Sequence, residues 1–171
     1  MIIKRFILLI WLSIMGTTAM CQNGNEEFTL KAAFIYNFTR YIEWDLSSSN
    51  DFVIAIIGTS PIYEPLMEIA RTKSISNRRI IVHQYTRPED IGNCNILFIS
   101  SNCSFPLPAI LNRVNKGTLT IGEEPGYAER GTAFNFKVDH DKLRFEANVK
   151  AIISAGLKAS SQLLKLAKIV D

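Results

Sequence analysis

Apolar positions along the chain change period several times, and each change marks an element. From Leu30 to Trp44, in LKAAFIYNFTRYIEW, the apolar and aromatic residues recur at helical spacing. Leu30, Ala33, Phe34, Phe38, Tyr41 and Trp44 cluster on one side of a wheel turned about 100° per residue, and Ile35 and Ile42 widen the arc to roughly 200°. One sheet face covers less than that. Asn37 falls inside the arc, where an amide left without partners costs about 1–3 kcal/mol.

The period then shortens. FVIAIIG, Phe52 to Gly58, is an almost unbroken β-branched run closed by glycine, the signature of a strand covered on both faces. TSPIYEPLMEIARTK returns to helical spacing, with Ser60 placed to cap and Pro61 at the first helical position. Pro65 either kinks that first turn or moves the start to Glu64. Ile80 to Tyr85 and Asn95 to Ser100 read as two further strands, and FPLPAILNRVNKG as a helix stopped at Gly117 before the strand TLTIG. This alternation predicts an α/β fold, a mainly parallel sheet flanked by helices on both faces.

TAFNFKVDHDKLRFEANV breaks the alternation. It predicts a hairpin turning near Asp139 to Asp141, appended as an antiparallel edge, with Arg144 and Glu146 on the side opposite Leu143 and Phe145 and able to pair across that edge. Two closing helices are expected, NVKAIISAG ending at Gly156 and SSQLLKLAKIV under a serine cap.

The first residues are of another kind. MIIKRFILLIWLSIMG places Lys4 and Arg5 before an apolar run too short for a comfortable span, followed by small and polar residues. This predicts a signal peptide over residues 1–21, cleaved after Cys21, and a single domain over 22–171, with no membrane span after cleavage. A lipid-bearing Cys21 is the competing reading, opposed by Met20 where a small residue is wanted. Lys4 and Arg5 carry two of the three excess positive charges of the chain, so nucleic acid loses its electrostatic argument.

Export invites a disulfide, but an intervening strand sets Cys94 and Cys103 on the order of 20 Å apart, against the roughly 7 Å limit for bridged Cα atoms. No bridge between them is expected, and Cys94 reads as a small buried hydrophobe.

Catalytic chemistry finds little to use. His83 and His140 lack companions at metal-ligand spacing, so neither a metal nor a cofactor is expected. GTSP after the first strand lacks the second glycine and the lysine of a phosphate loop and reads as a capped helix start. Glu123 and Glu124 read as solvated carboxylates in a turn-rich loop, so the chain is expected not to be an enzyme.

Two binding surfaces remain. A surplus of apolar surface on the first helix either packs between sheet and last helix or faces a second polypeptide through Tyr36, Phe38, Tyr41, Ile42 and Trp44. The alternative is a small-molecule effector site where a parallel sheet brings Thr59, Ser60, Ser100, Ser101 and Glu123 to one rim.

The segments LKAAFIYNFTRYIEW, VIAIIGTSPI, CNILFIS, LTIGEEPGYAERGTAFNF and KLRFEANVKAIISAGLKASSQLLKLAKIV resemble, in order, the YfiR-like family of periplasmic regulators. The resemblance implies an exported α/β domain, often dimeric, that restrains a membrane-bound signalling enzyme by binding its periplasmic part. In the best-known branch that partner is a diguanylate cyclase; a sensor histidine kinase fits the same features. Some relatives carry cysteine in the strand where this chain has Ala55, so the bridge from Cys94 to that strand is unavailable here.

Overall fold

The computed structural model describes residues 23–44 and 51–170. The expected signal peptide and Cys21 lie outside the described residues.

Helix α1 (Asn23–Phe38) is followed by the short strand β1 (Ile42–Glu43), so the helical spacing read through Trp44 overshoots by six residues. The end is tightened by i to i+3 bonds, with the amides of Thr39, Arg40 and Tyr41 donating to the carbonyls of Tyr36, Asn37 and Phe38. The Thr39 hydroxyl donates to the Tyr36 carbonyl at 2.6 Å, competing for the helix's own acceptor.

Next come β2 (Asp51–Ile57), α2 (Tyr63–Thr72), β3 (Ser74–Ile75), β4 (Arg78–Tyr85) and β5 (Ile96–Ile99). Helix α2 begins beside the later of the two expected starts. Pro65 thereby falls within the first turn, where its missing N–H breaks no helical bond. Ser60 sits before the helix and accepts from the Ile62 amide. After the short α3 (Leu107–Leu111) come β6 (Leu119–Gly122), β7 (Phe134–Asp139) and β8 (Lys142–Asn148). The hairpin between β7 and β8 turns at His140 and Asp141, both at positive φ, as a tight two-residue connection requires.

The chain closes with α4 (Val149–Ser154), β9 (Lys158–Ala159), α5 (Ser161–Leu164) and β10 (Lys168–Val170). The last expected helix is therefore one turn long. Ser160 caps it as read, but Lys168 to Val170 pair in parallel with Glu146 to Asn148. Strand pairing by β-branched Ile169 and Val170 wins over the helical spacing, which also moves the hairpin away from the sheet edge.

Eight strands form one sheet in the order β10-β8-β7-β6-β5-β2-β4-β3, parallel from β7 through β4 and antiparallel at β8–β7 and β4–β3. The mainly parallel α/β architecture expected from the alternation is the one observed. On one face Phe52, Ile54, Ile56, Phe98, Phe134 and Phe136 meet α1 and α2. On the other, Ala55, Ile57, Leu97 and Ile99 meet α3 and the ring of Tyr127. That ring is seated on Gly122, where a Cβ would stand 2.7 Å from Tyr127 Cδ2 and 2.8 Å from Asn135 Oδ1. Strands β1 and β9 pair separately, Ile42 opposite Ala159.

Cys94 precedes β5 and Cys103 follows it, both free thiols packed against the second face. Burial pushes the Cys94 thiol up to about 11, only partly offset by its hydrogen bond with Thr118. Alkylation of the native chain at pH 8 is expected to label Cys103 first, with Cys94 slower than a free thiol by roughly a hundredfold. Equal rates at the two sites, read by mass spectrometry, would show that this face opens freely.

Candidate functional site

Helix α1 divides its apolar residues between two tasks. Ala32, Ile35 and Phe38 point into the core, and Ile42 beyond the helix does the same. Phe38 is 2% exposed and Ile42 6%, so these two expected partner contacts belong to the protein's interior. Phe38 lies 4.8 Å from Phe134 and 4.9 Å from Phe145, ring centroid to centroid. The reason is a rotation of the helix relative to the wheel. Its buried line runs through Lys31, Ala32, Ile35 and Phe38, and Asn37, expected inside the apolar arc, is exposed to water.

The outer side keeps Leu30 at 45% exposure and, just past the helix, Tyr41 at 39%. Tyr36 and Trp44 are half-buried and have structural partners. The Tyr36 ring lies under the Arg40 guanidinium at 5.8 Å, and its hydroxyl reaches the Ser74 carbonyl at 3.4 Å. Trp44 packs edge-on against Phe52 at 5.2 Å and donates its indole N–H to the Asn95 carbonyl at 3.3 Å. Thr29 and Ala33 of α1 and Pro65, Glu68 and Ile69 of α2 line an open groove of about 510 Å³.

The parallel sheet also brings the five expected rim residues together, and their own chain occupies them. Ser60 and Ser100 are buried. The Ser100 hydroxyl donates to the Thr59 carbonyl at 2.8 Å and accepts from the Asn102 amide at 3.1 Å. Ser101 donates through both its amide, at 3.0 Å, and its hydroxyl, at 3.1 Å, to one oxygen of Glu123.

The other Glu123 oxygen takes the ammonium of Lys31 at 2.6 Å, and Lys31 also meets Glu27 one turn earlier at 2.7 Å. Glu123 is therefore not the solvated carboxylate read from its loop. Its side chain is 4% exposed and that of Lys31 is 7%. The sequence marks Lys31 only as the one charge between Leu30 and Thr39 in a largely apolar run. A buried ammonium requires a carboxylate, and Glu123 supplies it from the far side of the sheet rim. A ligand at this rim has to displace Lys31 or Ser101 from Glu123.

The remaining ionisable candidates stand apart. His83 is exposed on β4, and His140 meets Asp139 in the hairpin turn. Arg144 lies opposite Lys137, while buried Glu146 pairs instead with Lys168 at 3.2 Å and Lys137 at 3.8 Å. Among the described residues no helix is long and apolar enough to cross a membrane.

A family model described as YfiR/HmsC-like matches residues 28–168 of the chain. Among solved structures, a conserved domain protein from Vibrio cholerae superposes with a TM-score of 0.56 at 11% identity, over 84% of this chain and 60% of that one. The likeness at that identity is one of fold, and this chain spans 60% of the length of that protein.

Proposed function

We propose that this chain, which belongs to the YfiR/HmsC-like family, is an exported regulator that binds and restrains the periplasmic part of a membrane signalling protein. The family is one of periplasmic regulators of signalling proteins and is non-enzymatic. The finer reading adds a leader removed from residues 1–21 and a working surface on the outer side of α1. The partner is a diguanylate cyclase or a sensor kinase.

The observation that carries it is the exposure of Leu30 on α1 and of Tyr41 just past its end, where Ala32, Ile35 and Phe38 are committed to the core. Tyr36 and Trp44 are half-buried on the same stretch of chain, and residues of α1 and α2 line an open groove. Tyrosine suits such a place because it offers broad apolar area at low entropic cost and ends in a polar group. Binding holds the partner in one conformation, and the shift equals the difference in affinity for its two states.

Leu30→Asp and Tyr41→Asp are expected to leave the unfolding free energy within about 0.5 kcal/mol of that of the unmodified chain. Capture of the membrane partner by the immobilised chain is expected to fall roughly tenfold or more. Undiminished capture by both folded variants would remove α1 from the contact.

A further inference from the structure

Phe134, Phe136 and Phe145 point from the β7–β8 hairpin toward α1, and the opposite face of β7, β8 and β10 carries charge. There Lys137 stands directly opposite Arg144, and Lys168 directly beside Glu146. Like charges facing each other across an antiparallel pair lie about 5 Å apart and destabilise the sheet. Glu146 offsets this only in part. Its Oε1 takes two ammonium groups, that of Lys168 at 3.2 Å and that of Lys137 at 3.8 Å, while Oε2 accepts from the Nδ2 of buried Asn135 at 3.5 Å. Arg144 is exposed and joins no ion pair among the described residues.

We propose that this face is a binding site for a small, doubly charged oxyanion of the phosphate type, held by Arg144, Lys137 and Lys168. The carboxylate among them prepares the place. The Glu146 side chain is 8% exposed, Asn135 fixes it, and it draws two flexible lysines to one oxygen before any ligand arrives. Three cations around one carboxylate leave an excess of two positive charges, which a phosphate dianion balances. Arg144 adds a planar fork that pairs with two oxygens of such a group at once.

The borders of the patch select for size. One step further along the same face, Asp139 lies opposite Lys142 and meets His140 at 2.8 Å, and Asp141 follows in the turn. In the other direction the face passes to Asn148 beside Val170, neither of them charged. An extended polyanion or an anionic membrane surface would meet the two aspartates, whereas a single phosphate fits between neighbouring strands spaced about 4.8 Å apart. None of these residues belongs to the α1 ridge, so the site stands or falls independently of the partner contact proposed above.

Inorganic phosphate titrated into the purified chain at constant ionic strength is expected to raise the melting temperature saturably, with Kd on the order of 1 mM. Arg144→Gln is expected to raise that Kd roughly tenfold or more. The same substitution is expected to raise the melting temperature of the phosphate-free protein, because it relieves the repulsion with Lys137, whereas loss of a structural contact would lower it. Lys158→Gln, which removes an exposed lysine paired with Glu43 on the separate β1–β9 sheet, is expected to leave the Kd unchanged. No rise beyond that given by sodium chloride at the same ionic strength overturns the proposal. So does a phosphate response undiminished by Arg144→Gln or weakened as much by Lys158→Gln. A lower melting temperature of phosphate-free Arg144→Gln makes Arg144 a structural residue and overturns it as well, as does attachment to phosphatidylglycerol vesicles without a response to dissolved phosphate.

Discussion

Lys31→Met is expected to destabilise the protein by about 3–5 kcal/mol, although it preserves most of the side-chain volume. The loss comes from what is left behind. Glu123 keeps its two bonds from Ser101 but loses the Lys31 ammonium, and its carboxylate is closed off from water. Glu27, more exposed, loses its partner at little cost. Glu123→Gln alone is expected to do similar harm, because the buried Lys31 ammonium then loses the carboxylate charge of Glu123 and keeps that of Glu27. The double variant Lys31→Met with Glu123→Gln is expected to recover most of the stability, since removing both charges removes the burial penalty as well. Urea unfolding of the four proteins supplies the cycle. A loss under about 1 kcal/mol in the single variants would mean that water reaches the pair, and the contact between α1 and the strand rim would then be incidental.

This ion pair shows where reading the sequence stops. Periodicity locates β2, β4, β5, β6 and the β7–β8 hairpin to within two residues, because each is a continuous or alternating apolar run bounded by glycine, proline or polar residues. Pairing partners far along the chain leave no such local mark. Lys31 and Glu123 are 92 positions apart, and neither neighbourhood states that the two side chains share a buried space. The rim residues Thr59, Ser60, Ser100, Ser101 and Glu123 were legible as a group because parallel strands put their ends together. What fills the rim was not, because α1 crosses it.

The same limit explains the two misplaced ends. Residues 39–44 and 165–170 both keep helical spacing in their apolar positions and both become turn and strand, because β9 and β8 offer them backbone partners. A segment with β-branched residues at the end of a helical pattern is decided by which edge lies beside it. Asn37 has a related cause. On a wide apolar arc the spacing fixes the period of the buried face but not its centre, and a rotation of one residue moves the amide into water.

Phe38→Ala is expected to cost about 3–5 kcal/mol, the range for losing a large aromatic from a packed interior. Four rings surround it, Phe134 and Phe145 within 5 Å and Phe34 and Phe136 at 6.0 and 6.1 Å, so the cavity is bordered by groups that cannot all move in together. Phe38→Leu refills part of that space and is expected to lose distinctly less. The comparison with Tyr41→Ala separates packing from recognition within three residues of chain. Tyr41 is exposed, so its truncation is expected to leave the unfolding midpoint nearly unchanged while lowering partner capture. Phe38→Ala is expected to lower capture only in proportion to the fraction unfolded, and capture measured well below its unfolding transition should match that of the unmodified chain. Should folded Phe38→Ala fail to capture the partner while Tyr41→Ala captures it normally, recognition would have to read the position of α1 on the sheet rather than its outer ridge.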